Sequence, residues 1–241
     1  THELKTPLTT IQGYAQLMEA DHGEDEQLTS QGLQQILQES TRMHQMVLQL
    51  LEMSDKSIYM ERRLVDLART GISVAQALDI KAKRYEMWIE TELSEALPVW
   101  GVEERLRQVL INLVDNAIKY GESRTPILIK GSIKKGYVLL AVRNQGKGLN
   151  PEERERIFEP FYRVDKAYSR EQGSSGLGLS IGRKIMEEHE GKIYVRSRPG
   201  THTVFYIRLK AAQESAPRTV NSVSNSGTEA FVKERRNENQ A

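Results

Sequence analysis

The sequence predicts an α+β protein in which a helical hairpin is followed by a two-layer α/β sandwich. Three observations support this fold class. Residues 1–56 carry apolar side chains at helical spacing and contain one proline, Pro7. From about residue 63, helical patterns alternate with strand patterns that are largely antiparallel. Residues 211–241 are rich in Ser, Asn, Glu and Arg with few large apolar side chains, so we expect a disordered tail.

The hairpin is predicted from apolar residues that recur at alternating spacings of three and four, the pattern of a heptad seam. The first helix carries this pattern from Leu4 to Met18, and the second repeats it as far as Ser54. An acidic, glycine-containing segment, residues 21–26, predicts the turn between them. A lone hairpin has little apolar surface to bury against. From the pattern, dimerisation into a four-helix bundle and packing on the rest of the chain are both open.

The elements of the sandwich follow from periodicity and from turn residues. Strands are predicted at 65–67, 87–93, 127–133, 137–144, 191–197 and 203–209. Helices are predicted at 70–84, 103–120, 151–157 and 178–190, and a polar, irregular segment at 161–175.

Composition excludes several classes of function. The 34 Lys and Arg residues balance 33 Asp and Glu residues, so the net charge of +1 does not indicate a nucleic-acid partner. The absence of Cys excludes disulfides, Cys-ligated zinc, iron–sulfur clusters and a cysteine nucleophile. No apolar run reaches the roughly 18 residues of a membrane helix, so no membrane segment is predicted in this chain.

The N-terminus carries a first candidate for chemistry, His2 and Glu3, followed by Thr6 and Pro7. A neutral imidazole is a competent nucleophile toward phosphorus, and an adjacent carboxylate accepts its ring proton. Thr6 lies one helical turn further along the same face, where its hydroxyl could hold a water. Pro7 predicts a kink beside the reactive group. The alternative is that His2 and Glu3 are a solvated surface pair.

A second candidate lies on the helix at 103–120. Asn112, Asn116 and Lys119 share one face, and apolar residues cover another. Two carboxamides and an ammonium group suit a metal-bound triphosphate. The alternative is an exposed polar stripe.

Two glycine-containing segments are the third and fourth candidates. Residues 144–149 directly follow a predicted strand, where glycines let backbone approach a flat ligand. Residues 173–179 open a helix, where free N–H groups attract an anion. The second segment is not a Walker A loop, because no Gly-Lys-Ser/Thr follows its spacer.

In this order the motifs resemble the core of a bacterial sensor histidine kinase, and the resemblance covers about residues 1–210. Residues 2–7 are similar to the H-box, 112–120 to the N-box, 144–149 to the G1 box, 158–163 to the F-box, 173–179 to the G2 box and 200–203 to a G3-type turn.

The resemblance implies a Bergerat-type ATP-binding sandwich after a dimerisation and histidine phosphotransfer domain. It places the phosphotransfer domain at 1–60, the ATP-binding domain at 61–210 and the tail at 211–241. It further implies ATP and Mg²⁺ as cofactors, a homodimer formed through the hairpin, and the receiver domain of a response regulator as partner.

Residue roles also come from the resemblance. His2 matches the phosphoacceptor, Glu3 the acidic neighbour that assists proton removal, and Thr6 the residue that positions water for dephosphorylation of the partner. Asn116 matches the magnesium ligand. The residues matched to nucleotide binding are Asn112, Asn116, Lys119, Tyr120, Asn144, Gly146, Gly148, Phe158, Phe161, Arg163, Gly176, Leu177, Gly178 and Thr203.

The chain departs from the family pattern at Asn144, where an Asp usually accepts a hydrogen bond from the adenine amine. A neutral acceptor weakens that bond by about 1 kcal/mol, or roughly fivefold to tenfold in affinity. A second reading therefore stays open, in which the chain is a scaffold or phosphatase for a response regulator with a weakened nucleotide site. At Val102 an acidic helix cap is replaced by an apolar residue.

The family normally has a signalling helix, a sensor and often membrane spans before the H-box. Here Thr1 directly precedes His2, so we expect a fragment or an incomplete first helix. The resemblance implies a cytoplasmic location, with any membrane anchor of the parent protein upstream.

Overall fold

The computed structural model describes residues 2–22, 24–54, 61–165 and 175–212, without the side chains of residues 2, 3 and 52–54. Most of the expected tail and residues 173 and 174 of the G2-like segment lie outside this part. The helices are α1 (His2–Asp21), α2 (Glu26–Ser54), α3 (Leu67–Arg84), α4 (Glu103–Tyr120), α5 (Pro151–Arg156) and α6 (Gly178–Glu188). The strands are β1 (Arg63–Asp66), β2 (Trp88–Leu93), β3 (Pro98–Gly101), β4 (Pro126–Lys134), β5 (Tyr137–Gln145), β6 (Lys192–Arg198) and β7 (His202–Lys210).

Helices α1 and α2 pack on each other as a hairpin. The start of α2 is capped by Asp25, whose Oδ1 accepts hydrogen bonds from the N–H groups of Gln27 and Leu28. Helix α1 continues through Pro7, and Met46 of α2 is fully buried. Several large apolar side chains of the hairpin stay exposed to solvent, namely Leu8, Leu17, Leu33, Leu37, Val47, Leu48 and Leu51.

The sandwich is built on a five-stranded sheet with strand order β2-β4-β5-β7-β6. Strand β2 pairs parallel with β4, and the other neighbours pair antiparallel. Helix α4 packs between α3 and α6, and all three helices contact the strands. Alternate residues of β4, β5 and β7, such as Ile129, Leu140 and Ile207, are buried beneath this helical layer. Among the described residues, the other face of the sheet carries exposed side chains such as Arg143 and Arg196. A helical hairpin followed by this two-layer sandwich confirms the α+β fold class.

A second, two-stranded sheet joins β1 to β3 in antiparallel register. Strand β3 was not among the sequence-predicted elements. Helix α3 begins at Leu67, three residues earlier than predicted, because Asp66 caps it. The Oδ1 of Asp66 accepts hydrogen bonds from Ala68 (3.0 Å) and Leu97 (2.8 Å), so one carboxylate ties the helix to the loop before β3. In the described part of the chain, no helix has the length and apolarity needed to cross a bilayer.

Candidate nucleotide-binding site

A cavity of about 950 Å³ opens between α4, the turn after β5, the start of α6 and the side of α2. This volume lies in the range of sites that hold drug-sized ligands, roughly 300–1,000 Å³. Its charged lining residues are Arg42, Lys81, Lys119, Lys147 and Arg163, against Asp115, Glu122 and Asp165. The excess of cations favours an anionic ligand.

One wall is formed by α4, an amphipathic helix whose apolar face is buried in the core. Asn112, Asn116 and Lys119 lie on its cavity side. The Nδ2 of Asn112 donates a hydrogen bond to the carbonyl of Gly178 (3.0 Å), which ties α4 to the first turn of α6. The Oδ1 of Asn112 is therefore the end left available to a ligand. The carboxamide of Asn116 forms no hydrogen bond to another described residue.

Asp115 organises the cations of this wall. It forms ion pairs with Lys119 (2.9 Å) on its own helix and with Lys81 on α3. Burial raises the pKa of Asp115, but the charges and hydrogen bonds of Lys119 and Lys81 outweigh burial, so the pKa lies below its ordinary value. The carboxylate stays ionised and holds both ammonium groups at the cavity edge.

Asn144 lies buried at the end of β5, on the cavity wall beside Tyr120. Its Nδ2 donates hydrogen bonds to the carbonyls of Gln145 (2.9 Å) and Tyr120 (3.5 Å). The acceptor end, Oδ1, is thereby left for a ligand. Gly146 has φ +152°, and a Cβ there would lie 2.6 Å from the carbonyl oxygen of Tyr120. Only glycine lets the chain pass this close to the end of α4.

The start of α6 forms the opposite wall. Gly176 has φ +74°, and a Cβ there would lie 2.9 Å from the backbone of Phe161. The Phe161 N–H donates to the Gly176 carbonyl (2.9 Å), so the F-box-like and G2-like segments are joined through backbone. Arg163 lies on the cavity wall and donates to the Ser175 carbonyl (3.2 Å).

The cavity is lined by most of the sequence-predicted nucleotide residues: Asn112, Asn116, Lys119, Tyr120, Asn144, Gly146, Gly148, Arg163, Gly176, Gly178 and Thr203. Phe158, Phe161 and Leu177 are not lining residues. Leu177 is fully buried in the core, and Leu179 lines the cavity in its vicinity. Phe158 packs edge-to-face on Phe205, which itself lines the cavity.

Helix α2 contributes a wall that the sequence did not indicate. Arg42, Gln45 and Gln49, at spacings of three and four, line the cavity. The Oε1 of Gln49 accepts a hydrogen bond from the Ser175 hydroxyl (2.7 Å). The Nε of Arg42 is buried without a hydrogen-bond partner in the described part of the chain, although its Nη1 pairs with Glu39 (3.5 Å). Only the helical spacing could have grouped these residues, and nothing in it pointed to the cavity.

The H-box-like segment is described only in part. The side chains of His2 and Glu3 lie outside the described residues. Thr6 is exposed on α1, and its carbonyl accepts a hydrogen bond from the Thr10 hydroxyl (3.2 Å).

The α4 wall also carries candidate ligands for a divalent cation. The described residues hold no cluster of three or more His, Cys, Asp or Glu side chains suited to a metal ion. The oxygens of Asn116 and Asn112 nevertheless lie on the wall of an electropositive cavity. Mg²⁺ commonly takes one or two protein oxygens and completes its shell with water and substrate phosphates. This donor set therefore fits Mg²⁺ arriving with a polyphosphate.

Two family models match the chain. Residues 1–57 match the His Kinase A (phospho-acceptor) domain, and residues 101–213 match the histidine kinase-, DNA gyrase B- and HSP90-like ATPase. The solved catalytic domain of histidine kinase ThkA is 33% identical, and the chain covers 97% of it, with 63% of the chain aligned and a TM-score of 0.56. The chain belongs to the sensor histidine kinases. It thus contains an ATPase domain of the type shared with gyrase B and HSP90.

Further relatives agree with this histidine kinase assignment. Sensor histidine kinase YkoH of Bacillus subtilis is 37% identical over 211 residues, which cover 87% of the chain and 46% of the relative. The crystal structure of histidine kinase ThkA in complex with response regulator protein TrrA has a TM-score of 0.72 at 30% identity, covering 89% of the chain and 60% of that chain. The chain spans about half the length of the curated relatives it matches first.

Proposed function

We propose that this chain is the catalytic core of a sensor histidine kinase, which transfers the γ-phosphoryl group of ATP to His2 and then to an Asp of a response regulator. The observation that carries the proposal is the cavity that joins the α4 asparagines, the two glycine segments and α2. Residues 1–60 would form the dimerisation and phosphotransfer domain, and residues 61–210 the ATP-binding domain. We place this core in the cytoplasm, where ATP is available.

Nucleotide binding follows from the lining groups. Asn144 Oδ1 would accept a hydrogen bond from the adenine amine, with Tyr120 at the same end of the cavity. Lys119 and the backbone N–H groups near Gly176 and Gly178 would contact phosphate oxygens. Asn116 would ligate Mg²⁺, with Asn112 beside it, and the ion would neutralise charge on the phosphates during transfer. The buried Nε of Arg42 would gain a partner from an anion in the same cavity.

The transfer is an in-line displacement. A ring nitrogen of His2 attacks the γ-phosphorus, the bond from that phosphorus to the β,γ-bridging oxygen breaks, and ADP leaves with the electron pair. Glu3 accepts the proton from the other ring nitrogen. In the second step an Asp carboxylate of the regulator attacks the phosphorus and frees the imidazole. Thr6 would then hold a water that hydrolyses the regulator's acyl phosphate.

The exposed apolar side chains of α1 and α2 support a homodimer through the hairpin, because a second hairpin would cover them in a four-helix bundle. The complex of histidine kinase ThkA with its response regulator supports a receiver domain as the partner of this chain. The reading as a weakened scaffold is not favoured, since Asn144 lines the cavity and its Oδ1 remains an acceptor for an amine.

The experiment is incubation of the chain with γ-labelled ATP and Mg²⁺, followed by acid and alkali treatment. The proposal expects label that is stable to alkali and lost in acid, the behaviour of phosphohistidine. It also expects no label in His2→Gln, and none in Asn116→Ala. Label that survives acid, or label in His2→Gln, would contradict the proposal. Binding of a fluorescent ATP analogue to His2→Gln separates loss of the acceptor from loss of the nucleotide site.

A further inference from the structure

The open face of the five-stranded sheet carries an unusual distribution of charge. Its outward positions on β5 and β7 are those whose neighbours along the strand are buried under the helices, and the pairing register of β6 with β7 carries the same side to β6. Six cations occupy these outward positions. We call them the basic face: Arg143, Lys192, Arg196, Arg198, Arg208 and Lys210.

The positive charge of the basic face is not neutralised by carboxylates in the described part of the chain. None of its six cations forms an ion pair with a carboxylate in the described part of the chain. No Asp or Glu occurs at an outward position of β4, β5, β6 or β7. This concentration occurs in a chain whose net charge is only +1. On the neighbouring strands of the same sheet, by contrast, Lys130 of β4 pairs with Glu92 of β2 (2.5 Å).

The cations are arranged in rows across the strands. Arg143 and Arg196 flank Val204 in one row, and Lys192 pairs with Arg208 in another. Between these two rows lies the cross-strand pair Tyr194 and Tyr206, whose rings stack with centroids 5.0 Å apart. Such an array presents guanidinium groups at fixed positions, and guanidinium forks bind carboxylates in bidentate fashion.

The aromatic rings argue against single-stranded nucleic acid as the ligand. A base needs an open ring face on which to stack. Here Tyr194 and Tyr206 cover one another, and Arg196 lies 5.9 Å from the centroid of Tyr206. Arg208 lies 4.7 Å from the centroid of Tyr137. The rings therefore support the arginines through cation–π contacts instead of offering a stacking platform.

The opposite edge of the sheet argues against a broad anionic surface. Glu90 and Glu92 occupy the outward positions of edge strand β2, and both are exposed. A membrane or a long duplex laid on the whole face would meet these carboxylates as well as the arginines. A compact ligand that covers only β5, β7 and β6 would not. The charge pattern therefore fits a short acidic segment of a protein.

We propose that the basic face docks an acidic segment of a partner protein, rich in Asp or Glu, on the side of the sheet remote from the nucleotide cavity. The segment lies across β5, β7 and β6, and its carboxylates pair with the arginines of the two cationic rows. This site is independent of nucleotide binding, because the cavity lies on the helical side of the same sheet.

The test measures binding of a fluorescent peptide of about 20 residues, in which Glu alternates with Ser, to the full chain at physiological ionic strength. The key variant is Arg143→Glu with Arg196→Glu. The matched control is Arg69→Glu with Arg84→Glu, two exposed arginines of α3 that change the net charge equally. We expect the first variant to lose about tenfold or more in affinity and the control about twofold or less.

Binding of an ATP analogue reports that both variants remain folded, since neither alters the cavity. Equal losses in the two variants would overturn the proposal in favour of net-charge attraction. Absence of peptide binding to the unaltered chain would overturn it as well. So would tighter binding of single-stranded DNA of equal charge, or of vesicles containing anionic phosphatidylserine. The unaltered chain could also associate with itself in a salt-sensitive way. If the double variant Arg143→Glu with Arg196→Glu abolished that association, the face would be assigned to a second copy of this chain instead.

Discussion

At the residue scale, Asn144 has one role in the stability of the fold and another in ligand binding, and the two roles favour different side chains. Its amide nitrogen donates to two backbone carbonyls, that of Tyr120 at the end of α4 and that of Gln145 at the end of β5. Its amide oxygen is left for an incoming amine. An Asp at this position would strengthen the bond to the amine but would remove the donor that Asn144 supplies to both carbonyls, although the Gln145 carbonyl would keep its hydrogen bond from the Glu122 N–H (2.9 Å). The Asn of this chain therefore favours the unliganded structure at the expense of ligand affinity.

We expect Asn144→Asp to bind ATP about fivefold to tenfold more tightly, because the acceptor gains a charge. The same substitution should lower the free energy of unfolding without nucleotide by about 1–2 kcal/mol, through the lost donor. Titration calorimetry and urea denaturation measure the two effects. An unchanged ATP affinity would mean that Asn144 does not contact the base.

His189 is a buried residue with a defined tautomer. Its Nδ1–H donates to the carbonyl of Ile185 (2.7 Å), and its Nε2 accepts from the N–H of Val102 at the start of α4 (3.0 Å). The imidazole thus supplies to the helix start a partner that the Val102 side chain cannot. Protonation of Nε2 would break this bond.

Stability should therefore fall in mild acid. Burial is the largest effect on the pKa of His189 and lowers it. The hydrogen bond to Ile185 and the charge of Glu188 raise the pKa, whereas the charges of Arg62 and Arg105 lower it. The net pKa lies below the ordinary value of 6.5. The unfolded chain then binds a proton before the folded chain does. Below pH 6.5 the free energy of unfolding should decrease by up to about 1.4 kcal/mol per pH unit until the folded pKa is reached.

The variant His189→Gln keeps an acceptor for Val102 but cannot titrate. Urea denaturation from pH 7.5 to 5 measures the free energy of unfolding of the unaltered chain and of His189→Gln. Every other group titrates in both proteins, so the difference between the two free energies reports His189 alone. As the pH falls, we expect the free energy of unfolding of the unaltered chain to decrease more than that of His189→Gln. A difference independent of pH would show that His189 is not the titrating group.

At the scale of elements, the start of α6 depends on a glycine that touches another segment. Gly176 has φ +74° and lies against the backbone of Phe161, whereas Gly136, in the β4–β5 turn, has φ +77° and no atom near its missing Cβ. The two glycines have nearly the same φ, so a side chain would be strained at both positions. Only at Gly176 would its Cβ also collide with another segment, so the pair separates backbone strain from steric contact.

We expect Gly136→Ala to lose about 1–2 kcal/mol of stability from its positive φ and to bind ATP normally. Gly176→Ala should lose a further 1–3 kcal/mol or so through overpacking against Phe161, and its ATP affinity should fall about tenfold as the wall shifts. Thermal unfolding and titration with an ATP analogue measure both. Equal ATP affinities in the two variants would contradict a role for this contact in the cavity.

Elements with a strong periodic pattern were predictable, and those defined by tertiary pairing were not. Helix α4 has the predicted bounds, Glu103–Tyr120, because its apolar and polar faces are cleanly separated. Strand β3 was missed because it has four residues, begins with Pro98 and exists through its pairing with β1. The pattern did not assign the parallel pair of β2 and β4, since the pattern of a single strand carries no direction; the resemblance implied only that the sheet is mixed.

At the scale of the whole molecule, the hairpin and the sandwich meet at the nucleotide cavity. The hydrogen bond from Ser175 to Gln49 links the segment before α6 to α2, and Arg42 lies on the same side of α2. The motifs indicated the sandwich side of the cavity, because glycines and amides there have recognisable spacing. They did not indicate the α2 side, because Arg and Gln on a helix are ordinary surface residues until another domain packs on them.

The exposed apolar side chains of the hairpin lead to the last prediction. Leu37 of α2 is 69% exposed, and Ile80 of α3 is exposed to the same extent. If the hairpin pairs into a four-helix bundle, Leu37 is buried in the dimer and Ile80 is not.

Leu37→Glu should then raise the dimer dissociation constant by about a hundredfold or more, because each of two copies loses roughly 1.5–3 kcal/mol of apolar burial. Ile80→Glu should leave it unchanged. Sedimentation equilibrium measures both constants, and ATP binding reports that each variant is folded. Equal dissociation constants for Leu37→Glu and the unaltered chain would exclude this face of α2 from the dimer interface.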